Sequence, residues 1–197
     1  KSGYAHVFSM NPKNGKVIDD LTLPFTGDIR CNIVKDTEGD NPTGDYYFTS
    51  KSGYFYRISV NADGTFDKDS LRWIKLENSK GSDLTMSTST PTVYNGRAYV
   101  GVSGSEQFGA YSGHGIAVLD LKTMSIAYVV PTQGYPQTSG VLTRAYEKET
   151  GKVYVYFFDN YTPGKLRVIS DEPGQTEATD LEQETDKGNT YDVGTVL

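Results

Sequence analysis

The sequence repeats itself, and the length of the repeat constrains the fold more than any other feature. Each repeat contains a glycine, an alternating apolar strand, a polar turn and a second strand. The equivalent glycines are Gly3, Gly53, Gly115 and Gly164. Their spacings of 50, 62 and 49 residues are longer than leucine-rich or helical repeats. The chain is therefore built from units that hold several strands each.

A second hairpin lies between these repeats. Residues 89–94 lead through Asn95-Gly96 into residues 97–102. Asn-Gly between two alternating runs favours a type I′ turn, since both central residues need a positive φ. Matching strand pairs occur at 29–34 with 46–50 and at 140–146 with 152–158. Each unit therefore has four antiparallel strands, A to D, and the period predicts an all-β fold, a β-propeller of four-stranded blades.

The repeats divide the chain into about three and a half to four blades. We assign strands C and D to residues 3–23, complete blades to about 28–77, 88–131 and 138–184, and strand A of the next blade to 190–197. No window sustains a 3.6-residue apolar period, so no helix is predicted. A β-sandwich is the main alternative, but it does not predict a repeated sequence. The chain reads as one propeller domain, or as part of a larger one.

Three segments carry a family resemblance. Residues 7–17 and 117–123 resemble the repeat of quinoprotein-like propellers (PQQ-type repeat), and residues 90–101 resemble the A–B hairpin of that family. The likeness extends over nearly the whole chain and implies a fold more than a function. Most repeats of the quinoprotein dehydrogenases end in a Trp that locks neighbouring blades. This chain has one Trp, Trp73, and that departure argues against a cofactor-binding dehydrogenase.

Charge and composition limit the partners. The formal net charge is −6, and the 19 basic residues are scattered along the chain. Without a cluster of cations that could neutralise phosphates, we expect neither nucleic acid nor an anionic membrane surface as a partner. No apolar run is long enough to insert into a membrane. A single cysteine, an acidic balance and a polar surface favour an exported bacterial protein, extracellular or at the cell surface.

The order of the strands predicts where a ligand would bind. In an antiparallel blade the B–C and D–A connections lie on one face and the A–B and C–D turns on the other. Aromatic, amide and hydroxyl groups collect on the first face and suit a peptide or a glycan. The candidate ligand-binding residues are Phe108, Tyr111, His114, Tyr135, Gln137 and Tyr161. The alternative is that these side chains pack their own loops and cap the blades.

One turn resembles a calcium loop. Asn61, Asp63 and Asp67 place oxygen atoms at alternating positions, but the twelfth position, which needs Glu in an EF-hand, is Arg72. Asp-Gly is also ordinary turn chemistry, which is the interpretation we favour. No other cofactor is predicted.

Catalytic motifs are missing from the sequence. It contains no Gly-x-Ser-x-Gly elbow, zinc-binding His-Glu-x-x-His or phosphate-binding glycine loop. The sequence therefore predicts a non-catalytic module that binds a peptide, a glycan or a neighbouring domain through the B–C and D–A connections. Part of a quinoprotein-like dehydrogenase or another propeller enzyme is the alternative. Open blade edges add a second prediction, self-association.

Overall fold

The protein folds into four antiparallel sheets in a computed structural model. The structure describes residues 3–81, 86–104, 113–161, 164–177 and, for the backbone alone, 191–194. The first sheet contains β1 (Tyr4–Met10) and β2 (Val17–Thr26). The second contains β3 (Val34–Lys35), β4 (Tyr46–Thr49), β5 (Tyr54–Val60) and β6 (Phe66–Lys75).

The other two sheets have the same construction. The third contains β7 (Thr92–Tyr94), β8 (Arg97–Val102), β9 (Gly115–Asp120) and β10 (Ser125–Pro131). The fourth contains β11 (Val141–Thr143), β12 (Val153–Asp159), β13 (Gly164–Asp171) and β14 (Tyr191–Gly194). In every sheet the strands pair with their neighbours in chain order. The predicted all-β class and the four-stranded antiparallel blade are thereby confirmed.

Alternate residues of one strand pack against different sheets. On β9, Ala117 and Leu119 belong to an apolar cluster that includes residues of the second sheet. Ile116 and Val118, which point the other way, belong to a cluster shared with the fourth sheet. All four side chains are fully buried. The third sheet is therefore covered on both faces, as expected of a blade between two others, because a strand's successive side chains point to opposite faces.

The Asn-Gly hairpin forms as predicted. Asn95 and Gly96 have φ values of 52° and 77°, and Tyr94 pairs with Arg97 across the turn. Asn tolerates the left-handed region, and Gly adopts it without steric cost. The turn fixes the register of β7 and β8.

Three local predictions differ from the structure. The segment 190–197 was expected to open a further blade, but Tyr191–Gly194 pairs with β13 as the fourth strand of the fourth sheet. The reason lies in residues 172–177, where Pro173, Gly174 and polar side chains interrupt the alternating pattern, so strand D begins later in the chain. Strand A of the second sheet is Val34–Lys35 rather than 29–34, and Glu147–Thr150 forms a single helical turn, α1.

The A–B turns of separated sheets approach each other. Arg144, which follows β11, donates a hydrogen bond of 2.8 Å to Glu38, which follows β3 in a sheet two positions away. A contact between sheets that are not adjacent requires the inner ends of the sheets to converge, as they do around the axis of a propeller.

Candidate functional site

Tyr135 lies on the face formed by the B–C and D–A connections, which we call the loop face. Its side chain is 4% exposed. The backbone N–H of Thr88 donates to the Tyr135 hydroxyl at 2.6 Å, and the Thr88 hydroxyl lies 3.1 Å from the same oxygen. Burial raises the pKa of Tyr135. In this structure the ring ties two D–A connections together.

His114 is packed beside Tyr135. The two rings are stacked with centroids 6.1 Å apart, and His114 is 3% exposed. The backbone N–H of Gly104 donates to Nδ1 at 2.8 Å, which places the proton of the neutral ring on Nε2. Burial lowers the pKa of His114, because the charged ring would lose its hydration.

The remaining candidate residues of this face fall into two groups. Gln137 and Tyr161 are half-buried, and the bridge between Tyr135 and Asn160 places Tyr161 close to the stacked pair. Phe108 and Tyr111 lie outside the described residues. The structure therefore brings His114, Tyr135 and the neighbourhood of Tyr161 together, and the role of all six as ligand contacts stays a prediction.

An aromatic seam on the loop face was missed by the sequence analysis. Phe25 from β2 stacks on Tyr54 from β5 with centroids 4.0 Å apart and planes within 5°. Trp73 from β6 meets Phe25 edge-on at 5.4 Å and is 43% exposed, and the Lys75 ammonium lies 4.5 Å above the Tyr54 ring. Alternation along β6 puts Trp73 and Lys75 on one side, which is the signal that could have revealed the seam.

The opposite face, formed by the A–B and C–D turns, is called the turn face here. It contains a cleft of about 650 Å³ between the second, third and fourth sheets. Its lining includes Asn41, Thr43, Arg57, Asn95, Arg97 and Lys122. None of the described lining residues is aromatic. Sequence reasoning could not find this cleft, because its walls come from turns more than 100 residues apart.

A buried carboxylate lies at the end of β13 on the turn-face side. Asp171, with no exposed surface, accepts hydrogen bonds from Arg97 Nε at 3.1 Å and Nη2 at 3.2 Å. The hydroxyl groups of Tyr99 and Tyr128 donate to the same carboxylate at 2.8 and 2.6 Å. Burial, followed by the charge of Asp171, raises the pKa of both tyrosines, so they remain protonated donors. This cluster joins the third sheet to the fourth.

A second ion pair, between Arg57 and Asp45, borders the cleft. Arg57 Nε lies 2.6 Å from Asp45 Oδ2, and the hydroxyl of Ser59 donates to Asp45 Oδ1 at 2.6 Å. Asp45 is buried, whereas the Arg57 side chain is 29% exposed. The carboxylate therefore fixes the guanidinium at the edge of the open space.

The turn that resembles a calcium loop is closed by hydrogen bonds between its own residues. Asp63 Oδ1 accepts from the backbone N–H and the hydroxyl of Thr65 at 3.0 and 2.7 Å, and Asn61 Nδ2 donates to that hydroxyl. The N–H of Thr65 holds the pKa of Asp63 below its ordinary value. Asp67, the second residue of β6, is exposed. Within the described residues no group of three or more His, Cys, Asp or Glu could hold a metal ion.

Comparisons with solved structures identify the fold. The propeller of Dos1 matches 88% of this chain and 41% of its own, with a TM-score of 0.54 and 12% identity. Quinohemoprotein alcohol dehydrogenase ADHIIG from Pseudomonas putida HK5 matches 89% of this chain and 31% of its own (TM-score 0.54, 13% identity). The quinohemoprotein alcohol dehydrogenase from Comamonas testosteroni matches 97% and 32% (TM-score 0.50, 12% identity).

Sequence comparisons add no family to this result. No protein-family model matches the sequence, and no curated protein matches it significantly. No helix in the described part of the chain has the length and apolar character needed to span a membrane. The chain spans less than half the length of the three matched structures. Together with four sheets covered face to face, these likenesses identify a β-propeller fold that resembles the quinohemoprotein propellers.

Proposed function

We propose that this chain is a non-catalytic propeller module of an exported bacterial protein, and that it binds a peptide, a glycan or a neighbouring domain through its loop face. The observation that carries the proposal is the aromatic seam of Phe25, Tyr54 and Trp73. Single exposed apolar residues are common, but a stacked pair with an exposed indole beside a cation is a preformed recognition surface. Such rings provide contact area at a low cost in conformational entropy.

The surroundings of the seam support a rigid surface. Lys75 Nζ donates to the backbone oxygen of Ser52 at 2.7 Å, which keeps the ammonium over Tyr54. Gly27, at φ 130°, approaches Ser52 so closely that a Cβ would lie 2.5 Å from its hydroxyl oxygen. The D–A connection of the first sheet is thereby held against the B–C turn of the second. A surface ordered before binding loses less entropy when a ligand arrives.

Binding at the seam can be measured without a label, because Trp73 is the only tryptophan. Glycan and peptide arrays supply candidate ligands, and each is titrated while the Trp73 emission is recorded. We expect a ligand to change the emission, and Trp73→Ala to weaken its binding at least about tenfold, as truncation of an aromatic anchor does. Tyr111→Ala tests the predicted loop residues in the same assay.

Tyr146→Ala serves as the matched control, because Tyr146 is also exposed, at 55% against 43% for Trp73, but follows β11 on the turn face. The affinity of the Tyr146→Ala variant for the ligand should equal that of the unaltered protein. A ligand whose affinity is insensitive to Trp73→Ala and Tyr111→Ala would remove the loop face from the proposal.

Self-association through an open edge belongs to the same proposal. Among the described residues β1 pairs with β2 alone, and the first sheet exposes Phe8, Met10, Val17 and Ile18. An unpaired strand with apolar side chains invites pairing with another chain. Sedimentation velocity across a concentration series should show a larger species that disappears in Phe8→Lys. A monomer at every concentration would reject this part.

A further inference from the structure

We propose that the cleft on the turn face is a second binding site, which takes an extended acidic peptide and holds one of its carboxylates on Arg57. The cleft lies on the face opposite the aromatic seam, so this site is independent of the proposed function. Its volume of about 650 Å³ lies within the range of ligand pockets, about 300–1,000 Å³.

Arg57 is oriented for an anion. Its Nε lies 2.6 Å from Asp45 Oδ2 in an ion pair whose N–H does not point at the carboxylate, and among the described residues Nη1 and Nη2 donate to no acceptor. The side chain lines the cleft and keeps 29% of its surface exposed. An ion pair on the Nε side of a guanidinium leaves its two terminal nitrogens as a fork, which matches the two oxygens of a carboxylate.

The other charges of the cleft differ in availability. Arg97 is 4% exposed, and its Nε and Nη2 donate to Asp171 and to the backbone oxygens of Glu172 and Gln175. Its Nη1 lies 3.9 Å from Asp120 Oδ2. Lys122 is exposed at the rim, on the turn between β9 and β10. Asp120, the acidic residue of the lining, accepts from the backbone N–H groups of Lys122 and Thr123. Arg57 and Lys122 are thus the cations left for a ligand, in a chain whose net charge is −6.

The lining favours a peptide over a sugar. Sugars usually bind on an aromatic plane, and none of the described lining residues supplies one. Asn41 and Asn95 instead bring amide groups to the cleft, and the backbone N–H of Asn41 already donates to Asn95 Oδ1 at 2.7 Å. Fixed amides of this kind can pair with the backbone of an extended chain, as in other peptide-binding grooves.

The test uses two fluorescein-labelled peptides that differ in charge alone, Gly-Ser-Glu-Ser-Glu-Ser-Gly and its Gln counterpart, in fluorescence anisotropy titrations of the whole chain. We expect the Glu peptide to bind and the Gln peptide to bind at least about tenfold more weakly, the value of one charge-assisted hydrogen bond. Binding should leave the emission of Trp73 unchanged, because Trp73 lies on the other face.

Two variants assign the binding to the cleft, one at Arg57 and one at Lys122. The double variant Asp45→Asn with Arg57→Gln removes both charges at similar shape, so no buried charge is left unpaired, and it should abolish the preference for Glu. Lys122→Glu, at an exposed position, should weaken the binding of the Glu peptide, and this test remains if the double variant fails to fold. Arg72→Gln is the control, since Arg72 is exposed and its Nη1 donates to Asp69 and Leu71 of its own strand.

Four results would overturn the proposal. The first is equal affinity for the two peptides, and the second is no binding of the Glu peptide at ~1 mM, the weak limit of specific recognition. The third is tighter binding of an oligoglucuronate, which would assign the cleft to an acidic sugar. An effect of Arg72→Gln as large as that of Lys122→Glu would show general charge attraction and would also reject the site.

Discussion

The connections on the two faces of this propeller differ in how far they bury the residues near them. On the loop face, the connection between β10 and β11 buries Tyr135 against Thr88, and His114 is buried beside that ring. On the turn face, several connections are short, such as Asn95-Gly96, and they do not cover the space between the sheets. Polar residues near the strand ends, Arg57 and Arg97, consequently line an open cleft.

The difference shows how side-chain type decides between closing and opening a face. Removing an aromatic ring from water lowers the free energy, so a loop that is long enough to bury its rings does so. Arginine can be buried only when its charge is matched, as Arg97 is by Asp171. Arg57 has one such partner and keeps the rest of its guanidinium at the cleft. Aromatic content alone therefore does not identify the face that is open to ligands.

The largest expected effect comes from the buried charge below the cleft. Asp171→Ala leaves Arg97 without its carboxylate at a position 4% exposed, and we expect it to lower the free energy of unfolding by about 3–5 kcal/mol. Urea denaturation measures the change. Asp20→Ala removes an exposed carboxylate from β2 and should change the free energy by about 0.5 kcal/mol or less. Equal effects of the two substitutions would mean that Asp171 does not hold the sheets together.

A substitution on the loop face should lower the free energy of unfolding by less, because it removes a hydrogen bond rather than the partner of a buried charge. Tyr135→Phe keeps the ring and leaves the Thr88 N–H without its acceptor, so the free energy of unfolding should fall by about 1–2 kcal/mol. Tyr146→Phe alters an exposed ring and should be nearly neutral. A neutral Tyr135→Phe would indicate that the loop is open and that Tyr135 is free for a ligand.

The pH dependence of stability reports on the buried ring of His114. Burial holds the pKa of His114 below the unfolded value of about 6.5, so the folded state resists protonation. Its contribution to stability is complete above pH ~6.5 and is lost as the pH falls through the lower folded value. The Tm should therefore drop between pH 7.5 and 5.5, as measured by circular dichroism. His114→Gln should reduce that drop, and an unchanged drop would contradict the assignment.

The smallest expected effect concerns the turn at Asn61, Asp63 and Asp67. Since Asp63 already bonds Thr65 through its backbone N–H and hydroxyl, calcium should not raise the Tm and EGTA should not lower it. Differential scanning fluorimetry gives both values. A rise in Tm with calcium that is absent in Asp63→Ala would establish a metal site on the turn face.

Local sequence patterns predicted the features that depend on residues close together in the chain. The strand alternation and the Asn95-Gly96 turn specified the hairpins, because pairing and turn conformation are set within a few residues. Strand D of the fourth sheet was misplaced, since its identity depends on pairing with β13 across a long connection. The cleft and the aromatic seam were missed for a related reason: Arg57 with Arg97, and Phe25 with Trp73, meet only after separate sheets have packed.

Side-by-side packing of the sheets is tested most directly by nuclear Overhauser effects from β9. We expect Ile116 and Val118 to show cross-peaks to Val155 and Phe157 of the fourth sheet, and Leu119 to show them to the second sheet instead. Cross-peaks from both sets of side chains to one and the same sheet, with the other face of β9 exposed to water, would contradict a propeller and both proposed binding faces.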